Sequence, residues 1–551
     1  VSYGYRVGEV ELPEIGEVKD GTKFMPFNEI SLADRPLIRA SLGPHLEGAA
    51  RPVPDTNDPA NMIAGSAKRF CTKPPVAIKI KLRRLKRFVQ KWVKKNLVPL
   101  AADTDVTFET WIRSTDYTDA RKDELRRKYA ANPDMKSRRN FLVKMFLKDE
   151  SYPEYKHARG INSRMDEFKV CTGPIFKAIE KQLFSLPYFI KKVPVSERPA
   201  YLLKKLGHGH RWMATDYSSF EALFTRELML SCEFVLYEYM TQLLPDGPEW
   251  YALIKKVIAG ENHIKNKYFE IFLEATRMSG EMNTSLGNSF SNLMFMLFLS
   301  EECGATDVEG TVEGDDGLFT LNGDYPTAEQ FAELGLTIKI DMHDKMEEAS
   351  FCGLIYDRVD LVNVTDPIKV LQTFGWTTRQ YARSCRRRKM ELLRCKALSV
   401  AYQYNGCPIL MALARYGLRV TEGFRARIGQ TGVWERSFLQ EVLKQQVLIR
   451  DVPEATRMLV ESKFGITIEH QLRIEEYLDG LTDVVPLNND LILMYSHRDA
   501  EHYWHNYVRR VQIKSKLINE PTFGSNSLAI DQLAMVSGGI LKALKLGAAV
   551  V

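Results

Sequence analysis

A chain of 551 residues with 45% apolar side chains carries enough hydrophobic material for a large core or several coupled domains, and its net charge of +6 is modest. The eight cysteines, Cys71, Cys171, Cys232, Cys303, Cys352, Cys385, Cys395 and Cys407, show no paired metal-ligand spacing, which argues against a zinc site and for free thiols in a reducing compartment. No secretory signal opens the chain and no run of eighteen apolar residues exists, so a soluble protein without a transmembrane segment is expected.

The first hundred residues are rich early in Pro and Gly (Pro36, Gly43, Pro44, Pro52, Pro54, Pro59) and read as an extension wrapping the outside, with the Val1 start suggesting trimming or processing. Twelve Lys or Arg and no acid lie between Lys68 and Lys95. Leu82, Leu85, Val89 and Trp92 recur there at helical spacing among Lys79, Arg83, Arg84 and Arg87, which predicts a basic amphipathic helix. Its cations suit a phosphate backbone, an anionic membrane or simple solvation of an outer face. Further on, Arg211 to Thr215 is short and partly apolar, a predicted buried strand that delivers Asp216 at its end, as a turn or capping residue or as a metal ligand.

Ser279 to Ser289 is a loop of small polar residues feeding a buried helix through Leu293 to Leu299. Thr284 and Asn288, four apart, share one helical face and can present a hydroxyl and an amide to a sugar, or serve only capping and packing. Thr311 to Thr320 then sets Asp315 and Asp316 between Gly314 and Gly317, with strand-forming residues on both sides. This predicts a tight hairpin, with glycines that can take the positive φ a sharp turn demands. Read alone it is an exposed Asp-rich turn or a metal site. Adjacent ionised carboxylates repel unless a cation joins them, and oxygen-only ligands favour Mg²⁺ or Mn²⁺. A two-metal site needs a third carboxylate from another segment, and Asp216 is the candidate. Beyond it, Arg379, Arg383, Arg386, Arg387, Arg388 and Lys389 form a second basic cluster, helical patterns cover Glu391 to Tyr404 and Glu435 to Leu448, and an apolar tail runs from Leu533 to Val551.

The order and spacing of these segments resemble the viral RNA-dependent RNA polymerases, whose sequences carry an Asp-x4-Asp strand end, a Ser-Gly-x3-Thr-x3-Asn loop and helix, and a Gly-Asp-Asp hairpin. The second element matches in full as Ser279, Gly280, Thr284 and Asn288, and the third as Gly314, Asp315 and Asp316. The first departs, with Glu221 where the family usually has a second Asp. Lys144 to Glu150 and Lys156 to Arg164 look like the family's basic motif for the triphosphate of the incoming nucleotide, which nominates Lys148, Lys156, Arg159 and Arg164. Leu334 to Ile340 looks like the motif that carries a lysine near the leaving pyrophosphate. Lys339 would then be a general acid, or merely a salt-bridge partner in a stretch with fourteen acids from Glu301 to Ser350. Ala349 to Gly353, with Cys352, resembles the hairpin that supports the nascent 3′ end. Phe108 to Tyr129, and Asp366 to Leu371 with Gly375 and Trp376, are similar to segments of the tombusvirus-like and nodavirus-like enzymes of positive-strand RNA viruses.

The resemblance implies an α+β right hand with an antiparallel-sheet palm and mainly helical fingers and thumb. It divides the chain into an extension linking fingers and thumb (1–100), fingers (101–205), palm (206–365, with a helical insertion at about 225–275) and thumb (366–551). It implies RNA synthesis from ribonucleoside triphosphates on an RNA template, with Asp216, Asp315 and Asp316 holding Mg²⁺. Ser279, Gly280, Thr284, Asn288 and Glu221 would contact the nucleotide sugar, and Lys79, Arg83, Arg84, Arg87, Arg386 and Arg387 the RNA. Implied partners are template, nascent RNA and nucleoside triphosphates, with other viral replication proteins and host membranes through them. The implied location is the cytoplasm of an infected cell, in membrane-associated replication complexes. Two rivals stand beside this reading, a reverse transcriptase and a non-catalytic RNA-binding scaffold marked by Glu221.

Overall fold

The computed structural model describes residues 17–26, 40–47, 56–57, 59–150, 157–378, 381, 383–426 and 448–496. At its centre lies a four-stranded antiparallel sheet in the order Ile338–His343, Trp212–Tyr217, Asp316–Asn322, Thr306–Glu313. Side chains alternate between the faces of a strand, and here both faces are covered. Met213, Tyr217, Phe319 and Val312 join the largest core cluster with the helix Thr284–Cys303, which is buried along nearly its whole length. Trp212, Ala214 and Leu318 face a smaller cluster with Leu202, Leu206, Phe351 and Tyr356. This second face is the one that carries Asp216, since its parity is that of Trp212 and Ala214.

A second sheet has five strands in the order Lys23–Pro26, Phe269–Glu274, Glu261–Lys265, Val143–Leu147, Gly160–Arg164. All its pairings are antiparallel except Val143–Leu147 with Glu261–Lys265. The region before the central sheet, expected to be mainly helical, carries the helices Phe108–Arg113, Asp119–Ala130, Asp166–Leu183 and Arg198–Leu206, interrupted by the strands Val143–Leu147 and Gly160–Arg164 of this sheet. The expected helical insertion is likewise helical only in part: helices Arg226–Ser231, Glu233–Thr241 and Gly247–Ile258 are followed by two of these strands.

The basic segment forms the helix Lys79–Asn96, burying Leu82, Leu85, Val89 and Trp92 as its periodicity requires. Trp92 meets Phe290 edge-on with ring centroids 5.9 Å apart, Phe88 lies 5.7 Å from Phe298, and Lys81 reaches Glu302 at 2.6 Å. The helix therefore runs antiparallel along Thr284–Cys303, and its Lys79 end stands beside Glu302, about 27 Å along that helix from Thr284 at 1.5 Å per residue. A C-terminal cluster gathers the helices Arg386–Gln403, Leu410–Val420, Glu454–Phe464 and Ile468–Gly480. Leu42 and Leu46 insert into it, so the N-terminal part of the chain touches both the five-stranded sheet and the C-terminal helices. All eight cysteines are free thiols. Among the described residues no helix is long and apolar enough to cross a membrane. The helical pattern at Glu435 to Leu448 falls almost wholly, and the apolar tail wholly, outside the described residues.

Candidate active site

The hairpin forms as its sequence dictates. Thr306–Glu313 and Asp316–Asn322 pair with Glu313 opposite Asp316, leaving a two-residue loop of Gly314 and Asp315. Only Gly314 has positive φ, at 65°, which is the type II′ arrangement with glycine first. Gly317 does not share it. Its lack of a side chain serves packing instead, because a Cβ there would stand 2.6 Å from Thr215 Oγ1 and 2.7 Å from Phe319 Cε2. The buried helix holds the loop in place: Ser289 Oγ accepts from the Gly314 N–H at 2.9 Å, and Asn292 Nδ2 donates to the Gly314 and Asp316 carbonyls at 3.2 and 3.1 Å.

Asp216 and Asp316 lie on the same face of the sheet, on neighbouring strands. Both hairpin aspartates are half-buried, keeping some accessible surface while protein surrounds most of each side chain. Burial, followed by the charges of Glu221 and Asp216, pushes the Asp315 carboxyl up to about 6. Burial, then Asp315, Asp216 and Glu313, raises Asp316 to about 7. Five carboxylates thus repel one another around the hairpin. Among the described residues no three His, Cys, Asp or Glu side chains stand grouped to hold an ion. The donors nevertheless fit a hard divalent cation, being oxygen-only and carrying a repulsion that such an ion relieves. At the edge of this face, Arg198 pairs with Glu313 at 3.0 Å and Cys352 Sγ lies 3.7 Å from the same carboxylate. Lys339 sits opposite Asp216 in the register, is exposed, and bonds Asp341 at 2.7 Å.

Beside the carboxylates a cleft is lined by Arg69, Phe70, Lys148, Arg159, Gly160, Asn162, Glu221 and Ser279. Four of the residues singled out from the sequence therefore converge: Lys148, Arg159, Glu221 and Ser279. Glu150 lies between the two cations, bonded by Arg159 at 2.5 and 2.8 Å and paired with Lys148. Burial pushes its carboxyl up, but the bonds from Arg159 and Lys148 outweigh that and hold it at about 2. It occupies the position that an anionic ligand of those cations would take. Arg69 enters from the short helix Ala67–Cys71 and was not singled out in the sequence, where it is one cation among twelve.

Other expected residues stand elsewhere. Arg164 is a correction: it is 2% exposed and lies outside the cleft. Its guanidinium pairs with buried Glu281, donates to Phe141 O at 2.7 Å and to Asn262 Oδ1 at 2.6 Å, and is thereby fully engaged. Strand alternation accounts for the burial, since Asn162 and Arg164 are the buried positions of this strand. Lys156 lies outside the described residues. Ser279 Oγ donates to Gly160 O at 3.0 Å and accepts from the Asn162 N–H at 3.2 Å, and Gly280 N–H donates to Asn162 O at 2.8 Å, so this pair of residues docks the loop on the strand Gly160–Arg164. Thr284 Oγ1 faces the carbonyls of Met278 and Glu281, at 2.9 and 3.0 Å. Asn288 is buried and accepts from Arg277.

The cations nominated for RNA are not brought to the carboxylates. Lys79, Arg83, Arg84 and Arg87 are all exposed on their helix, and Arg84 also pairs with the half-buried Glu302, which ties that helix down. Arg386 is exposed at the start of its helix, and Arg387 bonds Glu391 at 3.3 Å.

Residues 66–389, well over half of the chain, match the RNA dependent RNA polymerase family, and the chain belongs to that family. It is also similar to the RNA-directed RNA polymerase of Panicum mosaic virus (strain United States/Kansas 109S), at 23% identity over 237 residues. That stretch is 40% of this chain and 23% of the viral protein, so less than a quarter of that relative's length is matched.

Proposed function

We propose that the chain is a polymerase of a positive-strand RNA virus, tombusvirus-like or nodavirus-like, that adds ribonucleotides to an RNA 3′ end under the direction of an RNA template. The observation that carries this is the placement of Asp216 and Asp316 on one face of neighbouring strands, with Asp315 next to Asp316 in the turn, beside a cleft walled by Lys148, Arg159 and Glu221. In this reading the four-stranded sheet is the palm, the five-stranded sheet with its flanking helices the fingers, and the C-terminal helices the thumb, with the N-terminal segment linking the last two.

Asp216, Asp315 and Asp316 would hold Mg²⁺, or Mn²⁺ in its place, which when bound acidifies the 3′-hydroxyl and neutralises the phosphates. Arg159, Lys148 and Arg69 take the triphosphate once Glu150 yields its place between the first two. The 3′ oxygen gives up its proton to solvent and bonds to the α-phosphorus as the bond from that phosphorus to the oxygen bridging to the β-phosphate breaks, and Lys339, released from Asp341, would give the departing pyrophosphate a proton. Glu221 accepts from the ribose 2′-hydroxyl beside Asn288. Lys79, Arg83, Arg87, Arg386 and Arg387 would track the RNA backbone away from the chemistry. Other viral proteins and host membranes enter as partners only through such a replication complex.

The test is extension of a primed RNA template with Mg²⁺, offered ribonucleotides and deoxynucleotides separately. Preferential addition of the complementary ribonucleotide is the expected result; a preference for deoxynucleotides would point to a reverse transcriptase, and RNA binding without any addition to a scaffold. In the same assay Arg159→Ala and Arg69→Ala should each raise the nucleotide KM by roughly tenfold, the worth of one charge-assisted hydrogen bond, with a smaller change in kcat. An unchanged KM in Arg69→Ala would remove that residue from the triphosphate path.

A further inference from the structure

We propose that Arg277 and Glu233 act as a positioning pair for sugar selection, fixing which way the Asn288 amide faces and so what it offers the 2′-hydroxyl; the inference rests on the polymerase reading above. Both residues are 0% exposed. Arg277 Nη2 bonds Glu233 Oε1 at 2.7 Å, and its Cζ lies 4.3 Å from the centre of the Phe224 ring. A buried ion pair is a poor source of stability, because the cost of desolvation offsets most of the attraction. Its value lies in what it orients.

Arg277 touches both sides of the sugar subsite. Its backbone N–H donates to the Glu221 carbonyl at 3.1 Å, and its Nε donates to Asn288 Oδ1 at 2.8 Å. A guanidinium has donors only, so the amide must present its oxygen to Arg277 and turn Nδ2 the other way. Among the described residues Nδ2 makes no hydrogen bond and is not sealed from solvent. A ribose 2′-oxygen placed there can accept from Nδ2 while giving its proton to the Glu221 carboxylate. With the amide reversed, Oδ1 and Glu221 would be two acceptors competing for one proton. A deoxyribose satisfies neither group, which is the source of discrimination.

The surroundings keep the pair in one geometry. Tyr237 donates to Glu233 Oε2 at 2.7 Å, and Asn283 Nδ2 donates to Tyr237 at 3.2 Å. Gly287, next to Asn288 on the helix, leaves the space the pair fills; a Cβ there would land on Glu233 Oε2 and Arg277 Nη2.

The experiment compares kcat/KM for a ribonucleotide and its deoxy counterpart on primed RNA, using wild type, Arg277→Lys, the balanced double variant Glu233→Gln/Arg277→Met, and Gly287→Ala, with thermal unfolding of each. Arg277→Lys keeps the charge opposite Glu233 and removes the Nε donor. The expected result is a fall of about tenfold in the ribo-to-deoxy ratio, expressed mainly in the ribonucleotide KM, while deoxynucleotide addition stays within about threefold of wild type. A ratio within twofold of wild type, or an equal loss on both sugars down to complete inactivity, overturns the proposal and leaves the pair a structural support. Wild type that adds no ribonucleotide under these conditions refutes the polymerase reading itself, a result distinct from an unchanged ratio in active protein.

Discussion

Asp315→Asn is expected to stop nucleotide addition and, in metal-free buffer at pH 8, to raise the unfolding temperature. The two effects share one cause. The Asp315 carboxyl sits at about 6 against an ordinary 3.8, so the fold prefers it protonated. A carboxyl with a raised folded pKa contributes its stability in full below about pH 4, and loses it as pH rises through about 6. Asp316, at about 7, behaves in the same way. At pH 8 the wild type therefore carries repulsion that Asn at 315 relieves, on the order of 1 kcal/mol given the partial solvent access. Mg²⁺ should raise the unfolding temperature of the wild type at pH 8 much more than at pH 5, and hardly that of the variant. Nucleotide addition should drop roughly a thousandfold, since a metal clamp supplies several kcal/mol to the transition state. Loss of activity together with loss of stability in metal-free buffer would mean that Asp315 is a structural residue of the turn.

Arg164→Ala should have the opposite profile. The side chain is almost wholly buried, paired with Glu281, and bonded to Phe141 and Asn262. Removing one partner of a buried pair leaves the other charge uncompensated and costs about 3–5 kcal/mol. A large fall in unfolding temperature is expected, while the folded fraction keeps its nucleotide KM within about twofold. Replacing both partners, as Arg164→Met with Glu281→Leu, should recover most of the loss, because well-packed apolar residues replace such a pair at little cost. A rise in KM without destabilisation, resembling that expected for Arg159→Ala, would restore Arg164 to the triphosphate path.

These two arginines show what the sequence can convey. The hairpin was legible because every determinant is local: a glycine able to take positive φ, two acids and strand formers on either side. Asp216 was legible from a short apolar run ending in an acid, and the helix after Ser279 from its apolar length. Arg159 and Arg164 look alike as letters, since a one-residue shift of strand register exchanges the faces and nothing nearby fixes the register. The five-stranded sheet escaped because three segments far apart in the chain build it, and a short strand states its own period but not its partner. Arg69 was hidden among twelve cations for the same reason, as its place beside Lys148 and Glu221 arises from tertiary contacts. Arg84 is solvent-facing as a basic helix face suggests, but its ion pair with Glu302, more than two hundred residues later, has no local signal.

The most direct measurement is single-nucleotide addition to a primed RNA whose next template base is varied in turn, with Mg²⁺ or EDTA, by wild type and by Asp216→Asn. The account predicts that only the complementary ribonucleotide is added, that EDTA abolishes addition, and that Asp216→Asn lacks it while still folding. Addition that ignores the template base, or that survives in Asp216→Asn, would contradict it.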